Sequence, residues 1–161
     1  MNKVGIGQDS HRFAGEKKPL VLGGVTLASS GGLQANSDGD VILHSLCNAI
    51  SSAVGGDSLG TWADSMCLKQ GIKDSRKFLT YIYEKVAASG YRVVNLAVSV
   101  EAKLPRLTMA QIKKIKVEIA RLVHVRVGQV GITFTSGEDL TAFGRGDGVQ
   151  AWSIVNLAKD A

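Results

Sequence analysis

The chain has 161 residues, of which 45% are hydrophobic and 20% are charged, with a formal net charge of +5. These values are typical of one globular domain with its own core, which we expect to span residues 1–161. The sequence has no apolar run near the roughly 20 residues that a membrane span requires and no N-terminal secretory signal, so we expect a cytoplasmic protein without a membrane partner. The densest basic cluster, Lys113, Lys114 and Lys116, has no interleaved aromatic side chains on which bases would stack, and we therefore expect no nucleic-acid partner.

The first half of the chain predicts two short strands and one helix. Residues 3–7 predict a strand, and the polar residues 8–12 that follow predict a loop. Residues 19–25 predict a second strand that ends in a glycine turn. An acidic stretch that suits a helix N-terminus precedes the apolar residues 41–54, which predict the first helix. Residues 56–73 have weak periodicity and predict a loop.

The second half of the chain predicts two more helices and three strands. A helix begins near residues 74–75 and ends at Gly90, because apolar side chains recur between them at four-residue spacing. Residues 94–101 alternate between apolar and small or polar side chains, as in a half-buried strand. Thr108 has the spacing of a capping box and opens the next helix, which carries an apolar stripe. The remaining strands are predicted at residues 130–134 and 149–157.

The order of these elements favours an α+β fold, a two-layer sandwich in which helices cover one face of a mixed β-sheet. The other face of the sheet carries small and polar side chains. They suit packing against another subunit better than contact with water, so the pattern favours an oligomer.

Two of the three histidines combine with an aspartate into a candidate metal site. Asp9 and His11 are two residues apart, and on an extended backbone their side chains share a face. His44 lies in the first turn of the helix predicted at 41–54. Two imidazoles and one carboxylate leave a fourth tetrahedral position open, as in catalytic zinc sites. A solvent-exposed Asp–His pair beside an unrelated helical histidine is the alternative that these residues by themselves leave open.

Four motifs occur in one order along the chain and carry a resemblance to a known family. They are Gly5-Ile6-Gly7-Gln8-Asp9-Ser10-His11-Arg12-Phe13, Pro19-Leu20-Val21-Leu22-Gly23-Gly24-Val25, Ser37-Asp38-Gly39-Asp40-Val41 with His44, and Gly144-Arg145-Gly146-Asp147-Gly148. Together they resemble the 2-C-methyl-D-erythritol 2,4-cyclodiphosphate synthases of the non-mevalonate isoprenoid pathway. The resemblance extends from near residue 4 to near residue 157 and so covers almost the whole chain.

The resemblance implies a homotrimer with active sites between adjacent subunits. The substrate would be 4-diphosphocytidyl-2-C-methyl-D-erythritol 2-phosphate, whose 2-phosphate attacks the β-phosphorus, releases CMP and closes 2-C-methyl-D-erythritol 2,4-cyclodiphosphate. The enzyme would thus be a cyclising phosphorus–oxygen lyase of isoprenoid precursor biosynthesis. Because the nucleophile belongs to the substrate, the protein has to fold the substrate back on itself and neutralise phosphate charge.

The resemblance also implies two metal ions and four catalytic residues. Asp9, His11 and His44 would hold Zn²⁺, or another divalent transition metal, whose open position takes a β-phosphate oxygen. Mg²⁺ or Mn²⁺ would bridge the α- and β-phosphates of the substrate, with Glu138 as its acidic protein ligand. An ordinary loop carboxylate is the alternative for Glu138.

Substrate contacts are assigned by the same resemblance to residues in three parts of the chain. They are Asn36, Ser37, Asp40 and Asp57 in the first part, Ala102, Lys103, Leu104, Pro105 and Arg106 around the cytosine, and Thr135, Ser136 and Arg145 in the last part. Two of these assignments have an open alternative. Asp40 is equally suited to capping the helix. Arg145 suits a structural role, pairing with a Glu or Asp across subunits, better than it suits contact with phosphate.

Four positions depart from the family pattern. Asn36 replaces a histidine and cannot become cationic beside a phosphate. Residues 62–66 lack one of the family's carboxylates, Gly137 replaces a hydroxyl residue, and Thr141-Ala142-Phe143 replaces Gly-Phe-Thr. None of these changes removes a metal ligand. The rival hypothesis is a catalytically impaired homologue that binds a phosphorylated or isoprenoid-diphosphate ligand through the same metal site.

Overall fold

A computed structural model describes residues 2–15 and 17–159. Its strands are β1 (Asn2–Arg12), β2 (Pro19–Leu22), β3 (Val25–Gly31), β4 (Tyr91–Glu101), β5 (Val130–Thr135) and β6 (Gly148–Lys159). Its helices are α1 (Val41–Ala53), α2 (Leu59–Gln70), α3 (Ser75–Ala87), α4 (Met109–Leu122) and the short α5 (Ala142–Arg145).

Four of the strands form one mixed sheet in the order β1-β6-β4-β5. Strand β6 is antiparallel to both β1 and β4, whereas β4 and β5 are parallel. Strands β2 and β3 form a separate hairpin. Helix α1 lies on the inner face of β1 and β6, and the core is built between them. The prediction of a two-layer α+β fold with a mixed sheet is confirmed.

Helix α1 contacts strand β1 backbone to backbone, because two glycines of the strand leave no side chain between them. A Cβ atom at Gly5 would overlap the carbonyl oxygen of Ala49, and one at Gly7 would overlap that of Ser45. The helix runs antiparallel to the strand, so the next inward-facing residue of β1 after Gly7 lies opposite the first turn of α1. The two elements are held at a separation that no larger residue at these positions permits.

Asp40 ties the start of α1 to the β2–β3 hairpin. Its carboxylate caps the helix by accepting from the backbone N–H groups of Ile42 and Leu43, at 3.1 and 3.0 Å. The same carboxylate accepts from Gly23 at 2.9 Å and Gly24 at 2.6 Å, in the turn of the hairpin. Both glycines have positive φ, at which any other residue would be strained.

Two of the sequence predictions are wrong. Residues 8–12 continue β1 instead of forming a loop, since they pair with β6 as far as Arg12 opposite Gly148. Residues 56–73 contain α2, in which Ala63 alone is buried, so the helix lacks the apolar stripe that would reveal it. The sequence indicates α2 at its C-terminus, where Gly71 ends the helix with a left-handed backbone conformation.

The outer face of the sheet exposes large apolar side chains beside the small and polar ones that the sequence predicted there. Val4, Ile6, Trp152 and Ile154 keep between 48% and 68% of their surface exposed. Ile6 and Ile154 are direct cross-strand neighbours in β1 and β6. We name these four residues the outer apolar patch. In the described residues no helix combines the length and the apolar character needed to cross a membrane.

The contact between α1 and β1 generates the first prediction. We expect Gly7→Ala to lower the free energy of unfolding by about 3 kcal/mol or more, because the added methyl group would push the helix backbone off the strand. Chemical denaturation followed by circular dichroism measures the change. Gly128→Ala is the matched control, since a Cβ there meets no atom within 4 Å. An unchanged denaturation midpoint for Gly7→Ala would contradict the proposed close contact.

Candidate metal centre and substrate pocket

Asp9, His11 and His44 converge on one point, as the sequence predicts. The Oδ2 atom of Asp9 lies 3.0 Å from Nε2 of His11 and 2.9 Å from Nδ1 of His44. The two ring nitrogens are 3.3 Å apart. Bonds of about 2.0–2.1 Å from nitrogen and oxygen to zinc give tetrahedral edges of about 3.3–3.4 Å. The three donor atoms therefore form one face of a slightly contracted tetrahedron, and this arrangement fits a divalent ion.

The elements explain why these side chains meet. Asp9 and His11 are two residues apart on β1, and residues with this spacing share one side of a strand. Both side chains therefore face α1. His44 follows the Asp40 cap by one turn, so its ring lies over the end of β1. His44 is buried, whereas Asp9 and His11 keep about a fifth of their side-chain surface exposed. The fourth tetrahedral position therefore lies toward solvent, where a ligand can reach it.

The electrostatic surroundings keep Asp9 ionised. Burial opposes its charge, but the hydrogen bonds with His11 and His44 outweigh burial. Their combined effect holds the pKa of Asp9 well below its usual range. A carboxylate that stays deprotonated at any physiological pH suits a ligand for a cation.

The triad lines a pocket of about 360 Å³. Asn36 and Ser37 form one wall beside it. A helical wall of the pocket belongs to α2 and the residue before it, namely Ser58, Leu59, Gly60, Ala63, Asp64 and Cys67. Because α2 was predicted as a loop, the sequence did not indicate that the pocket has a helical wall. Aromatic contacts of Trp62 with Phe78 and Tyr81 hold α2 against α3.

Lys18 holds the wall that contains Asn36 and Ser37, a role that sequence reasoning missed. Its ammonium group donates to the carbonyl oxygens of Leu33 at 2.7 Å, Ala35 at 3.2 Å and Ser37 at 2.7 Å. Three donated bonds match the three N–H groups of a lysine. The motif around Pro19 includes no pattern that points to this contact, because the partners are backbone atoms.

The acidic residues near the pocket differ in their positions. Asp40 has no exposed surface and does not line the pocket, so its carboxylate takes the capping role that the sequence left open. Burial raises the pKa of Asp40 to about 6, and the charge of Asp38 acts in the same direction. Asp57 is exposed and lines a neighbouring pocket of about 260 Å³, which shares Asn48 and Ser58 with the metal pocket.

The other predicted substrate-binding residues form a second group at the ends of β4 and β5. The backbone N–H of Ala102 donates to the carbonyl of Thr135 at 3.0 Å, and Lys103 pairs with Asp139 at 2.7 Å. Glu138 is exposed, with positive φ, and accepts from Ser136 at 2.7 Å. The rest of this group comprises Leu104, the cis-Pro105, Arg106 and Arg145.

The second group does not line the metal pocket of the same chain. One row of paired residues crosses the sheet from Ser10 through Gln150 and Glu101 to Thr135. Three strand spacings of about 4.8 Å place Thr135 about 14 Å from the edge strand that carries Asp9. The structure thus puts the metal ligands and the second group at opposite edges of one sheet.

Two departures from the family pattern occupy this second group together. The Thr141 hydroxyl donates to the Glu101 carboxylate, and Gly137 packs against the same carboxylate. Gly137 has a φ of +72°, which disfavours a side chain there. Glycine at 137 therefore fits both the backbone conformation and the close approach of Glu101 in this loop.

Comparison with known proteins gives consistent relationships over the whole chain. A family model described as the YgbB family matches residues 2–158. A curated 2-C-methyl-D-erythritol 2,4-cyclodiphosphate synthase from Chlamydia trachomatis is 42% identical over 159 residues, covering 96% of this chain and 87% of that protein. The solved bifunctional IspDF of Campylobacter jejuni has a TM-score of 0.90 and 32% identity, covering 99% of this chain but 43% of the longer protein. A CDP-bound form of 2C-methyl-D-erythritol-2,4-cyclodiphosphate synthase has a TM-score of 0.86 and 30% identity, covering 97% and 100%.

The triad geometry predicts one tightly bound divalent ion per chain. We expect His44→Ala to weaken zinc binding by more than about 100-fold, since losing even an outer partner of a ligand typically costs roughly 10–100-fold. Elemental analysis and competition with a chromophoric chelator measure the loss. His124→Asn is the control, because His124 lies outside the triad and asparagine tolerates its positive φ. Equal metal content in the two variants would show that the ion binds elsewhere.

Proposed function

Because the chain belongs to the YgbB family, whose matched relatives are 2-C-methyl-D-erythritol 2,4-cyclodiphosphate synthases, we propose that it performs their reaction around the Asp9, His11 and His44 triad. The chain is a cyclising, CMP-releasing lyase of isoprenoid precursor biosynthesis that depends on a divalent metal. Its substrate is 4-diphosphocytidyl-2-C-methyl-D-erythritol 2-phosphate. The convergence of the three donor atoms within 3.3 Å is the observation that carries the proposed assignment of residues.

In the reaction, an oxygen of the 2-phosphate attacks the β-phosphorus, and the bond from that phosphorus to the oxygen of CMP breaks. The nucleophile and the leaving group belong to one molecule, so the protein supplies orientation and charge neutralisation. A metal ion bound to the triad would supply positive charge beside the β-phosphate. We assign Zn²⁺, or another divalent transition metal, to this position because nitrogen and carboxylate ligands in tetrahedral array suit it.

The walls of the metal pocket would bind the methylerythritol half of the substrate. Asn36 is exposed in the wall that Lys18 holds, and its amide can donate to a phosphate oxygen. Ser37 lies deeper, against the ring of His44, so it supports the triad as well as the pocket. Asp57 in the adjoining pocket provides an acceptor for sugar hydroxyl groups. A pocket of about 360 Å³ suits this half of the molecule, and the cytidine must then lie beyond it.

The second group would bind the cytidine diphosphate half. Residues 102–106 offer backbone donors and acceptors for cytosine, and Arg106 and Arg145 offer positive charge for phosphate. Glu138 would share Mg²⁺ or Mn²⁺ with the α- and β-phosphates, since hard cations prefer oxygen ligands. The CDP-bound relative supports a ligand of this kind. Thr135 and Ser136 lie at the same strand end and would contact the phosphates.

A cyclic homotrimer would complete the site. The two groups of residues lie at opposite edges of one sheet, whereas the reacting phosphates of one substrate have to lie close to both groups. A ring of copies places the β5 edge of one subunit beside the β1 edge of the next, which is a heterologous contact that closes. The outer apolar patch supports this arrangement, because apolar side chains on an uncovered sheet face mark an interface.

Release of CMP tests the function directly. We expect the purified protein with Zn²⁺ and Mg²⁺ to convert the cytidylyl substrate into CMP and the cyclic diphosphate in equal amounts. Chromatography and ³¹P NMR follow both products, and chelator-treated protein serves as the control. CMP at the level of that control would favour the ligand-binding homologue over the enzyme.

The family has histidine where this chain has Asn36, and we predict that the site accepts either residue. We expect Asn36→His to keep kcat/KM within about tenfold of the wild type, because the exchange replaces one hydrogen-bonding group worth about 1 kcal/mol by another. Asn36→Ala removes the group and should lower kcat/KM further. Steady-state kinetics of CMP release compare the three proteins. Complete inactivity of Asn36→His would mean that the pocket requires asparagine.

The trimer generates a separate prediction. We expect Ile154→Asp to yield folded monomers with little CMP release, because a charge in the middle of an apolar interface is not compensated. Analytical ultracentrifugation measures the mass, and circular dichroism confirms the fold. Val117→Asp on α4 is the control, since Val117 is comparably exposed but distant from the sheet face. A wild type that sediments as a monomer and still turns over would contradict the intersubunit site.

A further inference from the structure

Asn48 links three elements around the metal pocket. It lies on α1, one turn after His44, and lines both the metal pocket and the adjoining pocket of Asp57. Its Nδ2 atom donates to the backbone carbonyl of Gln8 in β1 at 3.1 Å. Its Oδ1 atom accepts from the backbone N–H of Leu59, the first residue of α2, at 2.8 Å. One half-buried side chain therefore joins α1 to the metal-binding strand and to the helical wall of the pocket.

The bond to Gln8 belongs to a row of contacts along one edge of β1. In the described sheet β1 has one neighbour, β6, so alternate carbonyls on its other side face no strand. Ser52 donates to the carbonyl of Ile6 at 2.8 Å, and Asn48 donates to that of Gln8. Four residues of a helix and two of a strand both span about 6–7 Å, so the two bonds follow each other in register. Side chains of α1 thus provide donors for this edge of the strand.

The bond to Leu59 supplies a cap that α2 does not make for itself. The first N–H groups of a helix have no partner within the helix. The side chain of Ser58, at the N-cap, accepts from none of the described N–H groups of α2. Ala63 is the one buried residue among the described residues of this helix, so little core packing fixes its position. Asn48 therefore provides, from a neighbouring helix, the acceptor for the first turn of α2.

Ser51 binds the segment that leads into α2 at a second point. Its hydroxyl donates to the backbone carbonyl of Asp57 at 2.6 Å. Ser51 lies three residues after Asn48, and residues with this spacing are neighbours on the surface of a helix. Residues 57–59 are therefore bound to α1 at both ends, and they contribute to both pockets. The distance of this segment from the triad determines how much room the two pockets offer.

An amide satisfies both partners of Asn48, whereas its nearest replacements do not. A backbone carbonyl only accepts a hydrogen bond, and a backbone N–H only donates one. The amide therefore turns Nδ2 to Gln8 and Oδ1 to Leu59. An aspartate at this position keeps the acceptor for Leu59 but loses the donor to Gln8, and an aliphatic side chain loses both. Comparing these replacements isolates the contact with α2.

We propose that Asn48 is a positioning residue that holds the first turn of α2 against the metal pocket and so determines how tightly the substrate binds. It acts through residues 57–59 and lies outside the triad of metal ligands. This inference rests on the proposed function, because it concerns the wall that would bind the methylerythritol half. The contact between Asn48 and α2 is a property of the chain without substrate, so it can be measured separately.

Hydrogen exchange of the Leu59 backbone amide tests the contact in protein without substrate. NMR follows this amide, and we expect Asn48→Ala to speed its exchange by at least about fivefold, because the amide loses its acceptor. Asn48→Asp should keep the wild-type rate, since a carboxylate is also a good acceptor at a helix N-terminus. Ser52→Ala is the matched control, because the Ser52 hydroxyl donates to Ile6 and Ala49 and not to α2.

Equal exchange rates in the wild type and in Asn48→Ala overturn the proposal. The same holds for a wild-type Leu59 amide that exchanges as fast as in an unfolded chain. Asn48→Leu keeps most of the side-chain volume and covers the case in which Asn48→Ala does not fold. We expect it to speed the exchange as Asn48→Ala does, and an unchanged rate in this variant is equally decisive against the contact.

Steady-state kinetics of CMP release test what the contact does for the reaction. We expect Asn48→Ala to raise KM by roughly 5–30-fold and to change kcat by less than about threefold, because the wall contacts a part of the substrate that does not react. Zinc affinity should stay at the wild-type level, since the triad is intact. Ser45→Ala is the control for KM, because Ser45 is buried on the same helix, binds Ile42 and Ser153, and lines neither pocket.

An unchanged KM in Asn48→Ala, or a loss of zinc affinity, overturns the positioning role. Failure of the wild type to release CMP would instead refute the proposed function and leave the exchange result standing.

Discussion

The direct contact between the backbones of α1 and β1 is the constraint on which the rest of the structure depends. Gly5 and Gly7 leave no side chain between the two elements, so their separation is set by backbone atoms alone. At this separation His44 reaches Asp9 and His11 within hydrogen-bonding distance. Side chains in a core can adjust their rotamers, but two backbones in contact cannot. The geometry of the metal centre therefore depends on a contact that contains no side chain able to adjust.

Two carboxylates on the short segment before α1 together determine where His44 lies. Asp40 fixes the start of the helix by binding four backbone N–H groups, two in the helix and two in the hairpin turn. Asp38 binds the first residue of α3 and through Ser75 reaches the ring itself. The acidic segment thus sets both the position of the helix and the orientation of its histidine. These carboxylates accept from backbone and hydroxyl donors, and neither of them lines the metal pocket.

Periodicity and capping patterns predicted most of the fold, because α1, α3, α4 and β4 bury an apolar face that the sequence shows. They failed where an element buries little: α2 has one buried residue, and the end of β1 carries polar ligands in place of core side chains. Within the site, Asp9, His11 and His44 were predictable from residue type and motif. Lys18 and Ser75 were not, since their partners are backbone carbonyls or residues more than 30 positions away. The separation of the triad from the second group of residues also needed the sheet order, which no local pattern contains.

The placement of these groups at opposite edges of the sheet has a consequence for association. In the proposed ring, a ligand that touches the β1 edge of one copy and the β5 edge of its neighbour would contribute its binding free energy to holding the copies together. Occupancy and assembly are then linked equilibria, each of which promotes the other by the same factor. Dilution would weaken ligand binding, and a molecule that spans both edges would stabilise the ring as it fills the site.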